Sequence, residues 1–338
     1  MRFDKLAGSQ TEIKVLTDGM LVQEMLSDPL LSEYSVLIID DCHDRSMYTD
    51  LILGLLKKIR RKRGDLKIVI SSATIETNLY FNFFNELPKF PASVVHVQGR
   101  CFPVELYYLE SPTKDYVQQA VQTAVQIHAQ EQDPNSGNVL VFLTGQDEIN
   151  AFCRLFEQTV AGHHDLTPFQ KQSIFCQACY ASLPMAEQVK IFEPAPFNTR
   201  KVIVSTNIAE TSITIEGIVF VIDSCFTKAK YFNPTLHMEQ LMVIPASKAS
   251  CSQRAGRSGR VKPGKCYRLC TKDYFENCLP DAMVPEIQRT DPTQLILQLK
   301  GLGVRNILEF DYLSGPTRES FMQGLELLYN LGALDDQA

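Results

Sequence analysis

The chain has 338 residues, 45% of them hydrophobic, and a formal net charge of −6. That length supports about two to three domains of roughly 100–200 residues, each with a core of its own. The acidic balance argues against broad coating of nucleic acid but leaves room for a narrow channel of amides, hydroxyls and a few arginines. Ten cysteines without paired metal spacing, no secretory leader and no membrane span argue for a reducing compartment.

Short β-branched runs alternate with helical patterns along the chain. IKVLT (13–17), SVLIID (35–40) and KIVISS (67–72) predict buried parallel strands, each ending at a polar motif. LVQEMLSD (21–28) and YTDLILGLLKKI (48–59) predict the intervening helices. The basic run Lys57–Arg63 fits an RNA patch or an import signal. It also ends an apolar helix, where cations suit the negative dipole end, and that solvated helix end is the favoured reading. Residues 99–115 mix a proline-bracketed extended segment with turn residues and read as a linker.

A second set of strands follows at 138–145, 175–180, 201–207, 218–223 and 266–269. Cys176 and Cys179 form a lone CxxC, which a buried strand running into a turn explains better than a redox or zinc half-site. From about Pro285 the pattern changes to helices at 293–303 and 319–334. The expected fold is α/β: two doubly wound lobes, an incomplete one over 1–98 and a second over 99–284, then the start of a helical or winged-helix module over 285–338.

Several segments carry chemistry. Asp40 and Asp41 sit at the carboxyl end of a predicted strand, where such a sheet places ligands; they fit a hydrated Mg²⁺ and an oriented water, or a plain helix cap. In QRAGRSGR (253–260), Arg257 and Arg260 offer planar forks suited to phosphate, with Gly256 and Gly259 allowing close backbone approach. VSTNIAETSITI (204–215) follows a strand with Thr206, Asn207, Thr211, Ser212 and Thr214; capping explains two of these polar side chains, hardly all five.

Taken in order, TDGML (17–21), DDCH (40–43), SAT (72–74), FLTGQDEI (142–149), VSTNIAETSITI and QRAGRSGR resemble the DEAH-box RNA helicases of superfamily 2, over essentially the whole chain. The resemblance implies two RecA-like lobes with ATP and Mg²⁺ between them and single-stranded RNA, read by its backbone, crossing both. It gives Asp40 the metal, Asp41 the attacking water, and Ser72 and Thr74 the link from the metal site to lobe closure. His43 completes the acidic tetrad. Gln253, Arg254 and Gly256 are placed near the phosphates, Arg257 and Arg260 as arginine fingers, and Phe192 as the aromatic that stacks on the base. Thr17, Asp18, Gly19, Thr144, Gly145, Gln146, Thr206, Asn207 and Thr211 are placed along the RNA.

There are departures. Asp41 and Cys42 stand where the family has Glu and Ala, and the shorter Asp41 carboxylate retreats by about 1.5 Å. No Gly-x-x-x-x-Gly-Lys-Ser/Thr loop precedes the acidic motif, and the near match GRVKPGKC (259–266) precedes a strand instead of following one. An incomplete first sheet is expected to leave an exposed edge and bare apolar helix faces. The leading expectation is ATP-dependent RNA translocation and unwinding in RNA processing or ribosome assembly, with an activating protein among the partners. The alternative is a non-catalytic RNA-binding chain. A nuclear or nucleolar location is expected, with the cytoplasm as the other option.

Overall fold

The computed structural model describes residues 7–8, 10–73, 77–86, 91–97, 99, 101–234 and 236–335. The chain divides into two compact units: Met1–Val95 with Tyr231–Gln240 and Val284–Ala338, and His96–Lys230 with Leu241–Met283.

The first unit opens with α1 (Asp18–Ser27), β1 (Val36–Ile39), α2 (Met47–Lys62), β2 (Lys67–Ile70) and α3 (Thr77–Asn85). β1 and β2 pair in parallel, Val36 opposite Lys67 through Ile39 opposite Ile70. The strand expected at 13–17 does not form. Ile13 and Val15 are 86% and 92% exposed, and a β-branched run with no neighbour to take its amides stays irregular. One face of the pair is exposed, with Ile38 66% and Val36 46% exposed.

The apolar helix faces are not bare. Leu51, Ile52, Leu53 and Leu56 of α2 are fully buried in one cluster with Leu295, Ile296, Leu299, Phe310 and Phe321. Those partners come from the C-terminal segment, α10 to α12 of the chain (Glu286–Arg289, Thr293–Gly301, Arg318–Asn330). That segment shares the first unit's core. Gly54 makes the close approach, since a Cβ there would lie 2.4 Å from Phe310 Cε1. The basic run serves the same unit. Lys57 is 2% exposed and pairs with Glu86 at 2.5 Å, Arg61 pairs with Asp311, and Arg63 donates to the Leu30 and Tyr34 carbonyls.

The second unit holds β3 (Val104–Leu109), α4 (Tyr116–Gln130), β4 (Asn138–Phe142), α5 (Gln146–Gly162), α6 (Pro168–Gln172) and β5 (Ile174–Cys179). Then come α7 (Met185–Lys190), β6 (Arg200–Ser205), β7 (Ile218–Asp223), α8 (Lys248–Gly256), β10 (Gly264–Thr271) and α9 (Lys272–Asn277). A two-stranded sheet, β8 (Phe226–Asn233) with β9 (Met238–Pro245), lies between β7 and α8 in sequence. The main sheet is parallel, in the order β3-β10-β7-β4-β6-β5. Both faces of β4 are covered: Val139 and Val141 point into one core with α4 and α5, and Leu140 and Phe142 into another with Ile191 and Ala255. That is why the strand reads as a continuous apolar run.

The middle of the segment expected to be a linker, Val104–Leu109, is strand β3, at the sheet edge beside β10, where Pro103 at its entry costs no ladder bond. Cys176 and Cys179 lie in β5, the strand environment expected of them. Behind the sheet, Arg200 is fully buried and donates to the carbonyls of Gly137, Glu131 and Asp133 at 3.1, 3.0 and 2.7 Å. It also donates to His128 Nδ1 at 3.3 Å, while His128 Nε2 donates to the Gln170 carbonyl at 2.9 Å.

Burial first, and then the Arg200 charge, holds His128 below its ordinary pKa, though the bond to Gln170 opposes them. The folded ring stays neutral while the unfolded one takes up a proton below about pH 6.5. This contribution is present above that pH and is lost as pH falls through it. The urea midpoint should fall more steeply between pH 7 and pH 5 in the parent chain than in His128→Gln. Equal slopes would contradict this account.

Candidate functional site

In the first unit the polar residues gather at the carboxyl ends of β1 and β2. Asp40 is exposed, and its Oδ1 accepts the Asp41 amide at 3.0 Å. Asp41 takes a left-handed φ of 51°, a conformation Asp tolerates better than most residues, and its carboxylate is 53% exposed. His43 Nδ1 accepts the Ala73 amide at 3.3 Å, and the Cys42 amide donates to the Ser71 carbonyl at 3.0 Å. These two bonds tie the acidic tetrad to the Ser72-Ala73 segment, with Ser72 half-buried. Thr74 lies outside the described residues. Cys42 is buried, and burial, helped by Asp18 and Asp40, pushes its thiol up to about 12, so it stays a protonated packing residue at neutral pH.

Beneath the tetrad, Arg45 grips the buried Asp50 with two bonds of 2.7 Å and donates to Ser314 Oγ at 2.9 Å. Burial raises the Asp50 pKa, and Arg45 opposes that shift. Of the TDG residues, Asp18 is committed internally: its carboxylate accepts from Thr49 Oγ1 at 2.5 Å and Ser46 Oγ at 3.4 Å at the start of α2. A carboxylate engaged in this way holds the fold and does not fit direct contact with RNA phosphate. Thr17 is exposed at the N-cap of α1, and Gly19 packs beside Tyr48.

The second unit brings its motifs to one edge. β4, β6 and β7 end in register, with Phe142 opposite both Ser205 and Asp223, so the segments after each strand emerge side by side. After β6, Thr206 caps a short turn through the Ile208 amide, Asn207 is exposed and Thr211 half-buried. Arg257 donates to the Glu210 carbonyl and, at 3.2 Å, to the Ile213 carbonyl. Arg260 is exposed and donates to Thr214 Oγ1 at 2.8 Å. Both guanidiniums are thereby anchored on the hydroxyl-rich segment. Gln253 is half-buried nearby on α8, and Phe192 is 55% exposed after α7.

Three expectations need revision. Arg254 does not fit a phosphate contact: it is 2% exposed and pairs with Asp223 at 2.8 Å and Glu210 at 2.9 Å. Thr144 is 6% exposed, so burial leaves its side chain little surface for RNA, and its amide donates to Glu148 at 2.9 Å; Gln146 is exposed and accepts from Ser182. Gly259 is required by packing, since a Cβ would lie 2.7 Å from the Phe102 carbonyl oxygen, whereas Gly256 has open space around it.

Sequence reasoning also missed two groups. Glu210 is a hub, joining Arg254, Ser250 and, by its carbonyl, Arg257. Lys228 lies against Gly145, where a Cβ would come within 2.7 Å of its Nζ. It adds a cation to an edge otherwise read from hydroxyls and arginines. A lysine in a strand with mixed residues carries no local signal for that role.

Comparison with known proteins adds independent support. Residues 119–262 match the helicase conserved C-terminal domain. The chain is 48% identical over 342 residues to the probable ATP-dependent RNA helicase DHX35 of Homo sapiens, covering 99% of this chain and 48% of that protein. It is 45% identical over 341 residues to the probable ATP-dependent RNA helicase DHX35 homolog of Caenorhabditis elegans, covering 99% and 45%. The chain thus spans about half the length of the curated relatives it matches. A crystal structure of the Escherichia coli DExH-box NTPase HrpB superposes with a TM-score of 0.85 at 32% identity, covering 99% of this chain and 39% of that one.

Proposed function

From the premise that this chain carries the conserved C-terminal helicase domain of a DEAH-box RNA helicase, we propose that it couples ATP hydrolysis to movement along single-stranded RNA. The observation that carries the reading is the convergence of Arg257 and Arg260 on the hydroxyl-rich 210–214 segment, at the carboxyl edge of a parallel sheet. Backbone-directed donors of this kind hold phosphates and sugars without reading bases. No helix among the described residues is long and apolar enough to cross a membrane.

The residues fit the nucleotide and its metal. Asp40 is an exposed carboxylate at the end of a parallel strand, the donor a hydrated Mg²⁺ takes. The exposed Arg260 donates to the neutral Thr214 hydroxyl, and its charge suits an incoming anion. The exposed ring of Phe192 is free of aromatic stacking partners among the described residues and suits a nucleobase. Bound Mg²⁺–ATP supplies the phosphoanhydride to be cleaved. In this reading Asp40 would hold the metal, Asp41 would orient the attacking water, and Arg257 and Arg260 would neutralise negative charge on the phosphoryl group. His43 positions the acidic tetrad against the Ser72 segment through the Ala73 amide. Thr206, Asn207, Thr211, Gln146 and Lys228 serve the RNA, in RNA processing or ribosome assembly within the nucleus.

The test is ATP turnover by the purified chain with and without single-stranded RNA. RNA-stimulated turnover supports the reading; its absence, with RNA binding retained, would replace it with a non-catalytic RNA-binding role. One observation favours that second role: the exposed carboxylate of Asp41 is a methylene shorter than the glutamate of the family pattern. Asp41→Glu should then raise turnover by up to about 10²-fold, because mispositioning on the order of 1 Å costs that much. An unchanged rate would show that the carboxylate's reach does not limit the reaction.

A further inference from the structure

A carboxylate and two thiols meet inside the second unit, with a third thiol beside them, beneath the edge at which Asp223 ends β7. The Asp223 carboxylate, Cys225 Sγ and Cys251 Sγ all lie within 4.8 Å of one another and are fully buried. Cys270, 7% exposed, brings its Sγ to 3.5 Å from that of Cys225. They come from the end of β7, the turn after it, α8 and β10, so the cluster is assembled by the fold and shows no CxxC spacing.

Asp223 Oδ1 is committed, accepting Arg254 Nη1 at 2.8 Å and the Cys225 amide at 2.9 Å. Asp223 Oδ2 is buried with no hydrogen-bond partner. An orphaned carboxylate oxygen in the interior is costly unless something meets it.

We propose that Asp223, Cys225, Cys251 and Cys270 form a structural site for a thiophilic divalent cation, zinc(II) by its chemistry. Asp223, Cys225 and Cys251 supply three donors within 4.8 Å of one another, and Cys270, 3.5 Å from Cys225 but outside that trio, would turn in to complete the closed tetrahedral set of a structural zinc site. Zinc–sulfur bonds of about 2.3 Å place neighbouring sulfurs about 3.8 Å apart, close to the separation seen between Cys225 and Cys270. The cation would give Asp223 Oδ2 its missing partner. Three thiolates, one carboxylate and Zn²⁺ carry a charge of about −2, and two buried cations, Arg254 and Arg268, offset it. Loading releases the three thiol protons to solvent, so atoms and charge balance with no redox change.

The experiment uses the whole 338-residue chain, reduced and metal-free, titrated anaerobically with Co²⁺. One equivalent should produce thiolate-to-cobalt charge-transfer absorption and tetrahedral d–d bands, discharged by Zn²⁺. Cys251→Ala/Cys270→Ala should lose these bands, and Cys153→Ala/Cys176→Ala should keep them. The latter control is needed because Cys153 and Cys176 also stand 3.0 Å apart. In the unmutated chain, Zn²⁺ should slow iodoacetamide labelling of Cys225, Cys251 and Cys270 by an order of magnitude or more, as mapped by mass spectrometry. That measurement decides the matter if the double variant does not fold. Absence of the bands, their survival in Cys251→Ala/Cys270→Ala, or protection falling on Cys153 and Cys176 instead would overturn the site.

Discussion

Arg254→Ala is expected to destabilise the second unit by about 3–5 kcal/mol, the usual cost of removing one partner from a buried ion pair. Arg254 is 2% exposed and Asp223 is fully buried, so neither charge gains solvent when the other is lost. Burial opposes the guanidinium charge, but Asp223 and then Glu210 outweigh it, and Arg254 stays charged. Its loss strands the Asp223 carboxylate and frees Glu210, which also accepts from Ser250. Urea unfolding measures the change. A shift within about 0.5 kcal/mol, the range of surface substitutions, would mean the pair is not the anchor described here.

Three residues along the chain, the same side chain has a different expected outcome. Arg257→Ala should leave the fold standing and cost RNA-stimulated ATP turnover about 10³- to 10⁵-fold, the range known for arginine fingers in phosphoryl transfer. Arg257 is half-buried, with bonds to the Glu210 and Ile213 carbonyls, so its removal opens less of the interior than loss of the 2% exposed Arg254. Far-ultraviolet circular dichroism and urea unfolding should therefore match the parent while turnover collapses. If turnover survives, the residue serves only to hold the 210–214 segment.

These two arginines show what the sequence could and could not reveal. QRAGRSGR marks a phosphate-type loop, yet nothing in it distinguishes the arginine that faces inward. The distinction is set by Asp223, 31 positions away in the chain and buried at the end of β7. The sheet was easier to read. Continuous apolar runs at β4, β6 and β7 reflect burial on both faces, a purely local signal. Strand β3 resembles a linker in sequence because an edge strand mixes Glu105 and tyrosines with valine and leucine. The run at 13–17 failed for the opposite reason: it has strand composition but no pairing partner among the described residues. The burial of the C-terminal helices against α2 was likewise invisible, since an apolar face does not name what covers it.

In the proposed reading Arg257 and Arg260, both anchored on the hydroxyl-rich segment of the second unit, serve the phosphates of one nucleotide. A double-mutant cycle on Mg²⁺–ATP affinity with Arg257→Ala, Arg260→Ala and the combined variant tests it most directly. The account predicts that each single variant weakens binding and that the double loses clearly less than the sum, with a coupling of about 0.5–3 kcal/mol. Strict additivity, or unchanged affinity in either single variant, would contradict it.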